Sequence, residues 1–211
     1  YETLVRQHDD GRYARLLAAD NQLDGAVRQM EIVLEKNPDN LEVLYALSLM
    51  SVGTPPHTQA RAYTVRYLET LARQPKPSTD EPRDPASAYL HLARLAEDER
   101  NYSEALTWAR KVSAGPLAFT ARLQEAALLG RLKRVEDGRK LLAGLRANND
   151  EEQVQITLTE AALLRDAQRH RDAYTLLTTA LKRSPDEPNL LYDTAMAAER
   201  LNKLDVVETH L

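Results

Sequence analysis

The strongest constraint on the fold of this chain is an internal repeat of about 34 residues, a length within the range of helical repeat arrays. In its clearest copy Ala173 opens a helical pattern, Leu177 and Leu181 follow one and two turns later, and Pro185 closes it. The copy that opens at Ala26 has the same order of small, apolar and proline residues. Such repetition indicates stacked copies of one supersecondary unit, because a single copy cannot bury its own apolar face.

The spacing of the repeat predicts pairs of helices, with a small residue where each second helix begins. Successive positions of this kind differ in residue number by 37, 42, 33, 35 and 34, and the two long intervals contain segments 53–56 and the proline-rich 75–85. Segments 41–51, 86–99 and 154–167 carry apolar residues at helical spacing, so we predict an all-α fold. The anchors are Ala26, Tyr63, Ala105, Gly138, Ala173 and Val207, and the repeats cover residues 7–40, 41–78, 86–118, 119–150, 154–187 and 188–211.

The composition excludes several classes of protein. The chain of 211 residues has a net charge of −4, which is not typical of a general nucleic-acid binder. It has no cysteine, so disulfides and thiolate metal sites are excluded, and no run approaches the ~18 apolar residues of a membrane-spanning helix. Because it begins at Tyr1 and stops at Leu211 inside an apparent helix, we expect it to be a piece of a longer protein.

Small residues and prolines recur at fixed places in the copies. The first and fifth copies have Ala14, Ala26, Val33 and Pro38, then Ala161, Ala173, Ala180 and Pro185. This pattern resembles the tetratricopeptide repeat family, whose unit is a helix–turn–helix of about 34 residues. The resemblance implies a single domain over residues 1–211, a right-handed solenoid of antiparallel helix pairs with about five and a half repeats. In the second copy Tyr63 replaces alanine, so that helix pair is expected to be splayed or shifted; another helical-repeat family is the alternative.

No catalytic constellation is evident, and we expect neither an enzyme nor a bound cofactor or metal. The five histidines are far apart in sequence, and His91 is predicted to be a polar surface residue. The acidic run 97–99 could hold a cation, but a solvated helix end is the preferred interpretation because calcium loops need a specific ligand pattern with glycine.

The resemblance also implies a binding surface, because first helices line the concave groove of such arrays. The residues predicted to contact a partner there are Tyr45, Leu49, Leu90, Arg94, Leu123, Leu158, Arg165, Tyr192, Met196 and Arg200, with Arg131 and Glu199 also at the edge. The alternative is that several of them complete the core between helices. The carboxylate-clamp residues of some family members are absent; the fourth repeat has Thr120, Leu123, Gln124 and Ala127 at those places.

Three further surfaces have open interpretations. Arg134, Arg169 and Lys203 recur in the turns of three successive repeats, as a solvated ridge or as a docking edge for an acidic partner. The proline-rich segment 75–85 is either a spacer or a functional insertion. The apolar side of the last helix, with Leu204, Val207 and Leu211, indicates either further repeats or self-association.

The predicted function is a scaffold that binds segments of partner proteins in the concave groove. We expect a protein or peptide partner, no nucleic acid and no membrane-spanning segment. The composition resembles that of large bacterial repeat proteins at the cell envelope, so an envelope adaptor is favoured, although the sequence leaves the compartment open. The alternative function is a structural module that assembles by self-association of the array.

Overall fold

The computed structural model describes residues 23–53, 55–74 and 85–202, and every regular element in these ranges is an α-helix. The prediction of an all-α fold is therefore confirmed. The helices are α1 (Leu23–Lys36), α2 (Leu41–Met50), α3 (Thr58–Arg73), α4 (Ala86–Asp98), α5 (Tyr102–Ala109), α6 (Ala118–Arg131), α7 (Val135–Ala143), α8 (Asp150–Asp166), α9 (His170–Leu181) and α10 (Pro188–Arg200).

Several predictions fall on other parts of the chain. Ala14 with the first helix of the first repeat, the loop at 75–84, and residues 203–211 with Lys203, Leu204, Val207 and Leu211 lie outside the described residues.

Local residues define the starts of three first helices, α2, α8 and α10, whereas α4 and α6 begin without a side-chain cap. The Asn40 side chain accepts a hydrogen bond from the Val43 amide at 3.0 Å, and Asn149 accepts one from Glu152 at 2.8 Å. Pro188 begins α10, where its missing amide hydrogen costs nothing. These caps satisfy amide groups that the helix itself leaves without a partner.

Helices α4, α6, α8 and α10 end in a shared turn that the sequence does not predict. After each of them a residue with a left-handed backbone donates its amide hydrogen back to the helix, and after α4, α6 and α8 the next residue donates to a carbonyl five residues earlier. For Lys133 and Arg134 the acceptors are Gly130 and Leu129, at 2.9 and 2.8 Å. Glycine is usual at the left-handed position of this motif. Here it is occupied by Arg100, Lys133, Gln168 and Asn202, with φ of 59°, 63°, 61° and 56°.

The chain divides into two compact units, Tyr1–Asn101 and Tyr102–Leu211. In the N-terminal unit α1 and α2 enclose an apolar cluster that includes Leu34, Leu44 and Leu47, with Tyr63 and Tyr67 of α3 packed against it. Burial of these side chains is what stabilises helices of only two to four turns.

One predicted anchor of the N-terminal unit is wrong. The buried small residue of α3 is Ala60, which lies one full repeat length after Ala26, as the repeat requires. Tyr63 is only partly buried, and its hydroxyl donates to Glu31 at 2.8 Å, while burial and this contact raise its pKa to about 12. The α2–α3 pair packs closely, so it is not splayed, and its register is shifted from the predicted one.

In the C-terminal unit, small residues set the distance between helices. Ala126, Ala161, Ala173 and Ala195 are all at least 97% buried, and side chains of this size let paired helices approach closely. At Gly138 a Cβ atom would lie 2.5 Å from Leu163 Cδ1 and 3.0 Å from the Ala126 oxygen.

Gly130 also packs against Leu163, the residue that contacts Gly138. A Cβ atom on Gly130 would lie 3.3 Å from Leu163 Cγ, so Leu163 of α8 occupies a space bounded by glycines of α6 and α7. This contact fixes the end of α6, where the candidate site begins.

Candidate functional site

The predicted contact residues all remain accessible to some extent. None of the ten belongs to the buried class, and Arg94, Leu49, Tyr192 and Arg200 are exposed. Leu49 is 47% and Tyr192 58% exposed; with Ile32, at 40%, they are the exposed large hydrophobic residues of the described ranges. Exposed aromatic and aliphatic side chains of this size are candidates for burial by a partner.

Four of the ten belong to the N-terminal unit. Tyr45 and Leu49 lie one turn apart on α2, and Leu90 and Arg94 lie one turn apart on α4. The Tyr45 ring is half-buried against Tyr67, with ring centroids 5.3 Å apart and planes tilted by 44°. Among the described residues no carboxylate lies within 4.0 Å of the Arg94 guanidinium.

The other six lie on the three first helices of the C-terminal unit, in one recurring order. Each helix carries a large apolar residue in its middle or first half and an arginine seven or eight positions later. That spacing places both residues on one side of a helix, two turns apart. The pairs are Leu158 and Arg165 on α8, Tyr192 and Arg200 on α10 with Met196 between them, and Leu123 on α6 with Arg131, a predicted edge residue outside the ten.

The three arginines meet in one cleft of about 500 Å³. Since Arg131, Arg165 and Arg200 come from three successive first helices, these helices present the same side to the same space. The remaining lining residues are Tyr102, Gly130, Lys133, Asp166, Gln168 and His170. We call this space the arginine cleft.

Positive charge in the arginine cleft is only partly neutralised. Arg131 Nη1 lies 3.0 Å from Asp166 Oδ2, and Arg165 Nη1 lies 3.8 Å from an Asp193 oxygen. Within the described ranges, neither Lys133 nor Arg200 has a carboxylate within 4.0 Å. The cleft is lined by four cationic side chains and one carboxylate, so its local charge is opposite in sign to that of the whole chain.

The apolar residues differ in how far they belong to the core. Leu123 is packed against the cluster around Ala126 and Leu142, and Leu158 against the cluster around Leu177. Both are half-buried, so each serves the core and the surface together. Tyr192 is the residue of this set with most area left for a partner.

The predicted ridge of turn arginines has a different character. Arg134 Nε lies 2.7 Å from Asp137 Oδ2, and Arg169 is held by both Asp172 and Glu136, which raise its pKa further above its ordinary value. Glu136 also accepts from Arg139. Because Arg134 and Arg169 are already paired within the chain, the structure favours the interpretation of a structural turn over that of a docking edge for an acidic partner.

The prediction that His91 is a surface residue is wrong. Its side chain is buried at 8% exposure, and Nε2 lies 3.1 Å from the Ser48 carbonyl oxygen of α2. Burial lowers the pKa of His91, and the nearby charge of Arg94 and His57 lowers it further, whereas the Ser48 contact opposes the shift. His91 therefore joins α4 to α2 as a structural residue.

The acidic run 97–99 is also not simply a solvated helix end. Glu99 accepts a hydrogen bond from the His57 amide at 2.9 Å and one from Arg61 at 2.8 Å, and these contacts lower its pKa. Asp98 lies 3.7 Å from His57 Nε2. Within the described residues, no three metal-binding side chains come together.

Sequence reasoning named the three arginines but missed Lys133, Asp166 and His170 as members of the same cleft. Lys133 lies in the left-handed turn, whose position only the hydrogen bonds reveal. The available signal was the recurrence of arginine at intervals of one repeat length near the ends of first helices.

Comparison with known proteins agrees with the architecture. A family model described as a tetratricopeptide repeat matches residues 158–206. A TPR repeat-containing protein of Pseudomonas aeruginosa is 30% identical over 125 residues, which are 59% of this chain and 21% of that protein, so the chain spans a small part of this relative. None of the helices in the described ranges is both long and apolar enough to cross a membrane.

Solved structures show the same fold. A tetratricopeptide repeat protein of Parabacteroides merdae superimposes with a TM-score of 0.69 at 13% identity, covering 97% of this chain and 77% of its own. PilW, a type IV pilus biogenesis factor, gives 0.64 at 12% identity, covering 97% and 90%. The repeat register, the helix pairs and these similarities together show a tetratricopeptide repeat architecture, and the family model matches residues 158–206 within it.

Proposed function

We propose that this chain is an adaptor whose C-terminal unit captures a segment of a partner protein on the exposed side of α6, α8 and α10. The tetratricopeptide fold is a scaffold for protein–protein interaction. The observation that carries the proposal is the meeting of Arg131, Arg165 and Arg200 in one cleft. Because the three arginines meet, the apolar residues two turns earlier on the same helices, Leu123, Leu158 and Tyr192, also lie on one side of the unit.

The chemistry of this surface suits a protein partner. On α10 the exposed Tyr192, then Met196, then Arg200 follow one another at intervals of one helical turn, on the same side of the helix. Tyrosine and arginine are enriched among the residues that dominate binding energy, since they combine buried area with a polar group. A helical or extended segment with apolar side chains would cover this surface.

The N-terminal unit carries a second set of the same type. Tyr45, Leu49, Leu90 and Arg94 combine aromatic, aliphatic and cationic groups on α2 and α4. We propose that they contact the partner as well, each unit contributing its own surface.

We further propose that the adaptor works at the bacterial cell envelope. Support comes from the bacterial relative; PilW, a type IV pilus biogenesis factor, shares the fold at 12% identity. Fractionation of cells that express the full-length protein tests this proposal. We expect the protein with the envelope fraction, and recovery with the cytosolic proteins would contradict it.

Partner capture by the full-length protein tests the binding surface. The variant Tyr192→Ser with Met196→Ser removes exposed apolar area from α10 without touching a fully buried residue. Ile32→Ser is the matched control, because it removes an exposed aliphatic side chain from α1, which is not part of the proposed surface. We expect the double variant to reduce the recovered partner about tenfold or more, a change typical of a hot spot, and the control to leave it unchanged. Equal recovery with all three proteins would exclude this surface.

A further inference from the structure

We propose that the arginine cleft binds an acidic stretch of the partner polypeptide, so that carboxylate side chains occupy the space between α6, α8 and α10. This inference rests on the proposed function and adds to it the charge and the orientation of the bound segment. The ligand chemistry is that of aspartate and glutamate side chains in a protein chain.

The charge balance of the cleft supports this ligand. Lys133 and Arg200 have no carboxylate partner among the described residues, and the guanidinium group of Arg165 is 3.8 Å from Asp193. The Arg131–Asp166 pair is closer, but its side chains are 51% and 44% exposed. Exposed pairs of this kind contribute little to stability, so an incoming carboxylate can share or replace these partners at small cost.

Comparison with the neighbouring turns shows that this arrangement is local. Arg134 and Arg169 each have a carboxylate within the chain, whereas Lys133 and Arg200 have none among the described residues. Arginine also binds carboxylates through two parallel hydrogen bonds, which gives the cleft a geometric preference for them. The chain as a whole carries a net charge of −4, which disfavours a long nucleic acid in contact with much of the surface, whereas a short acidic segment would meet only the four cationic side chains of the cleft.

The start of α9 adds a second source of positive potential. His170, the first residue of α9, lines the cleft, and the preceding Arg169 makes no capping hydrogen bond through its side chain. The amide groups at the start of a helix carry partial positive charge and favour a nearby anion.

The order of residues along the helices gives the segment a direction. On α10 the exposed Tyr192 and the cleft residue Arg200 are eight positions apart, which corresponds to about 12 Å along a helix. An extended peptide covers that distance in about four residues. The partner is therefore expected to carry an apolar side chain about four positions along its sequence from its acidic group, with about three residues between them.

Fluorescence anisotropy with three synthetic peptides tests this inference on the full-length protein. The first peptide has two leucines, three serines and three glutamates in that order; the second replaces the glutamates with lysines, and the third replaces the leucines with serines. We expect the first to bind most tightly and the second not to bind. The affinity for the first should fall with rising salt concentration, because exposed charges are screened.

Matched variants separate the cleft from general electrostatics. Lys133→Gln with Arg200→Gln removes two charges from the cleft, and glutamine already occupies the equivalent left-handed position at Gln168. Arg146→Gln with Arg183→Gln removes two charges from exposed residues outside the cleft lining. We expect the cleft variant to weaken the first peptide about tenfold and the control less than about twofold. Circular dichroism melting checks that both variants are folded, and Arg200→Gln alone provides a second, milder test.

Three results would overturn the inference: equal binding of the glutamate and lysine peptides, equal loss in both variants, or tighter binding of a single-stranded oligonucleotide that the cleft variant abolishes. The last result would assign the cleft to nucleic acid. If the peptides fail while Tyr192→Ser with Met196→Ser still loses the partner, the binding surface stands and the acidic chemistry alone is wrong.

Discussion

The two units use their polar side chains in different ways. In the N-terminal unit His91 and Glu99 are directed at groups of the same unit, where they join α4 to α2 and to the segment before α3. In the C-terminal unit Lys133 and Arg200 line a cleft without a carboxylate partner among the described residues. The contrast teaches that a polar residue indicates a binding surface only when its own chain leaves it without a partner.

Glu125 shows that the contrast concerns individual sites rather than a whole unit. It is buried in the C-terminal unit at 5% exposure and is held by Arg110 at 2.7 Å and Arg122 at 2.6 Å. The same unit therefore contains paired arginines with a structural role. The unpaired cations of the arginine cleft are set apart from them by their surroundings, not by their residue type.

The largest expected effect concerns the packing beneath the arginine cleft. Gly138→Val would place side-chain atoms against Leu163 and the Ala126 oxygen, so we expect a loss of about 3 kcal/mol in the free energy of unfolding. Urea denaturation measures it. Gly144→Val is the control, because a Cβ atom there meets only ordinary contacts at 3.4 Å and beyond. Equal stability of the two variants would show that glycine is not required at this contact.

Removal of one carboxylate from each unit tests the contrast directly. Glu99→Ala leaves the His57 amide and Arg61 without their acceptor, so we expect a loss of about 2 kcal/mol. Asp166→Ala removes the exposed partner of Arg131, and its cost should stay below about 1 kcal/mol. It should also strengthen binding of the glutamate peptide. A larger loss for Asp166→Ala than for Glu99→Ala would reverse the comparison.

The pH dependence of stability tests the buried histidine. The pKa of His91 is lowered in the folded protein, so the unfolded chain binds more protons once the pH falls below about 6.5. Stability should be complete above that value and decline below it, by at most about 1.4 kcal/mol per pH unit for one proton. Glu99, whose pKa is lowered from 4.5, acts in the same direction only at lower pH.

The variant His91→Gln isolates this effect, because its amide can still donate to the Ser48 oxygen. Urea denaturation at about pH 5.5 and pH 7.5 should show a smaller difference for His91→Gln than for the unchanged protein. The same difference in both proteins would assign the pH dependence to other groups.

The smallest expected effect separates the two roles of Lys133. Lys133→Gly and Gln168→Gly both place glycine at a left-handed position, and each should raise the melting temperature through a gain of about 0.5–1 kcal/mol. Only Lys133→Gly removes a charge from the cleft, so only this variant should also weaken the glutamate peptide. Gln168 also lines the cleft, so equally weak binding in both variants would mean that the charge of Lys133 is not what controls the site.

The sequence predicted the helical architecture because it rests on local and periodic signals. The spacing of Ala26, Ala105 and Ala173 and the proline that follows most helix pairs are visible in one dimension. The register of α3 was missed because Tyr63 was aligned across a long loop, whereas burial assigns the position to Ala60.

The candidate site was predicted less completely, because its chemistry depends on residues distant in sequence. Arg169 is neutralised by Glu136 of the preceding repeat, and His91 is satisfied by a carbonyl of α2. A charge count cannot distinguish Arg169 from Arg200. Only the positions of the surrounding carboxylates, within the part of the chain that the structure describes, reveal that one is paired and the other is not.

Site-specific photo-crosslinking in cells tests the central claim most directly. A photoreactive phenylalanine derivative placed at Tyr192 in the full-length protein should form a covalent adduct with the partner, since this ring is 58% exposed on the proposed surface. The same group at Ile32, which is 40% exposed on α1 and lies outside the proposed surface, should give no adduct. Partner adducts from position 32 and none from position 192 would contradict the account.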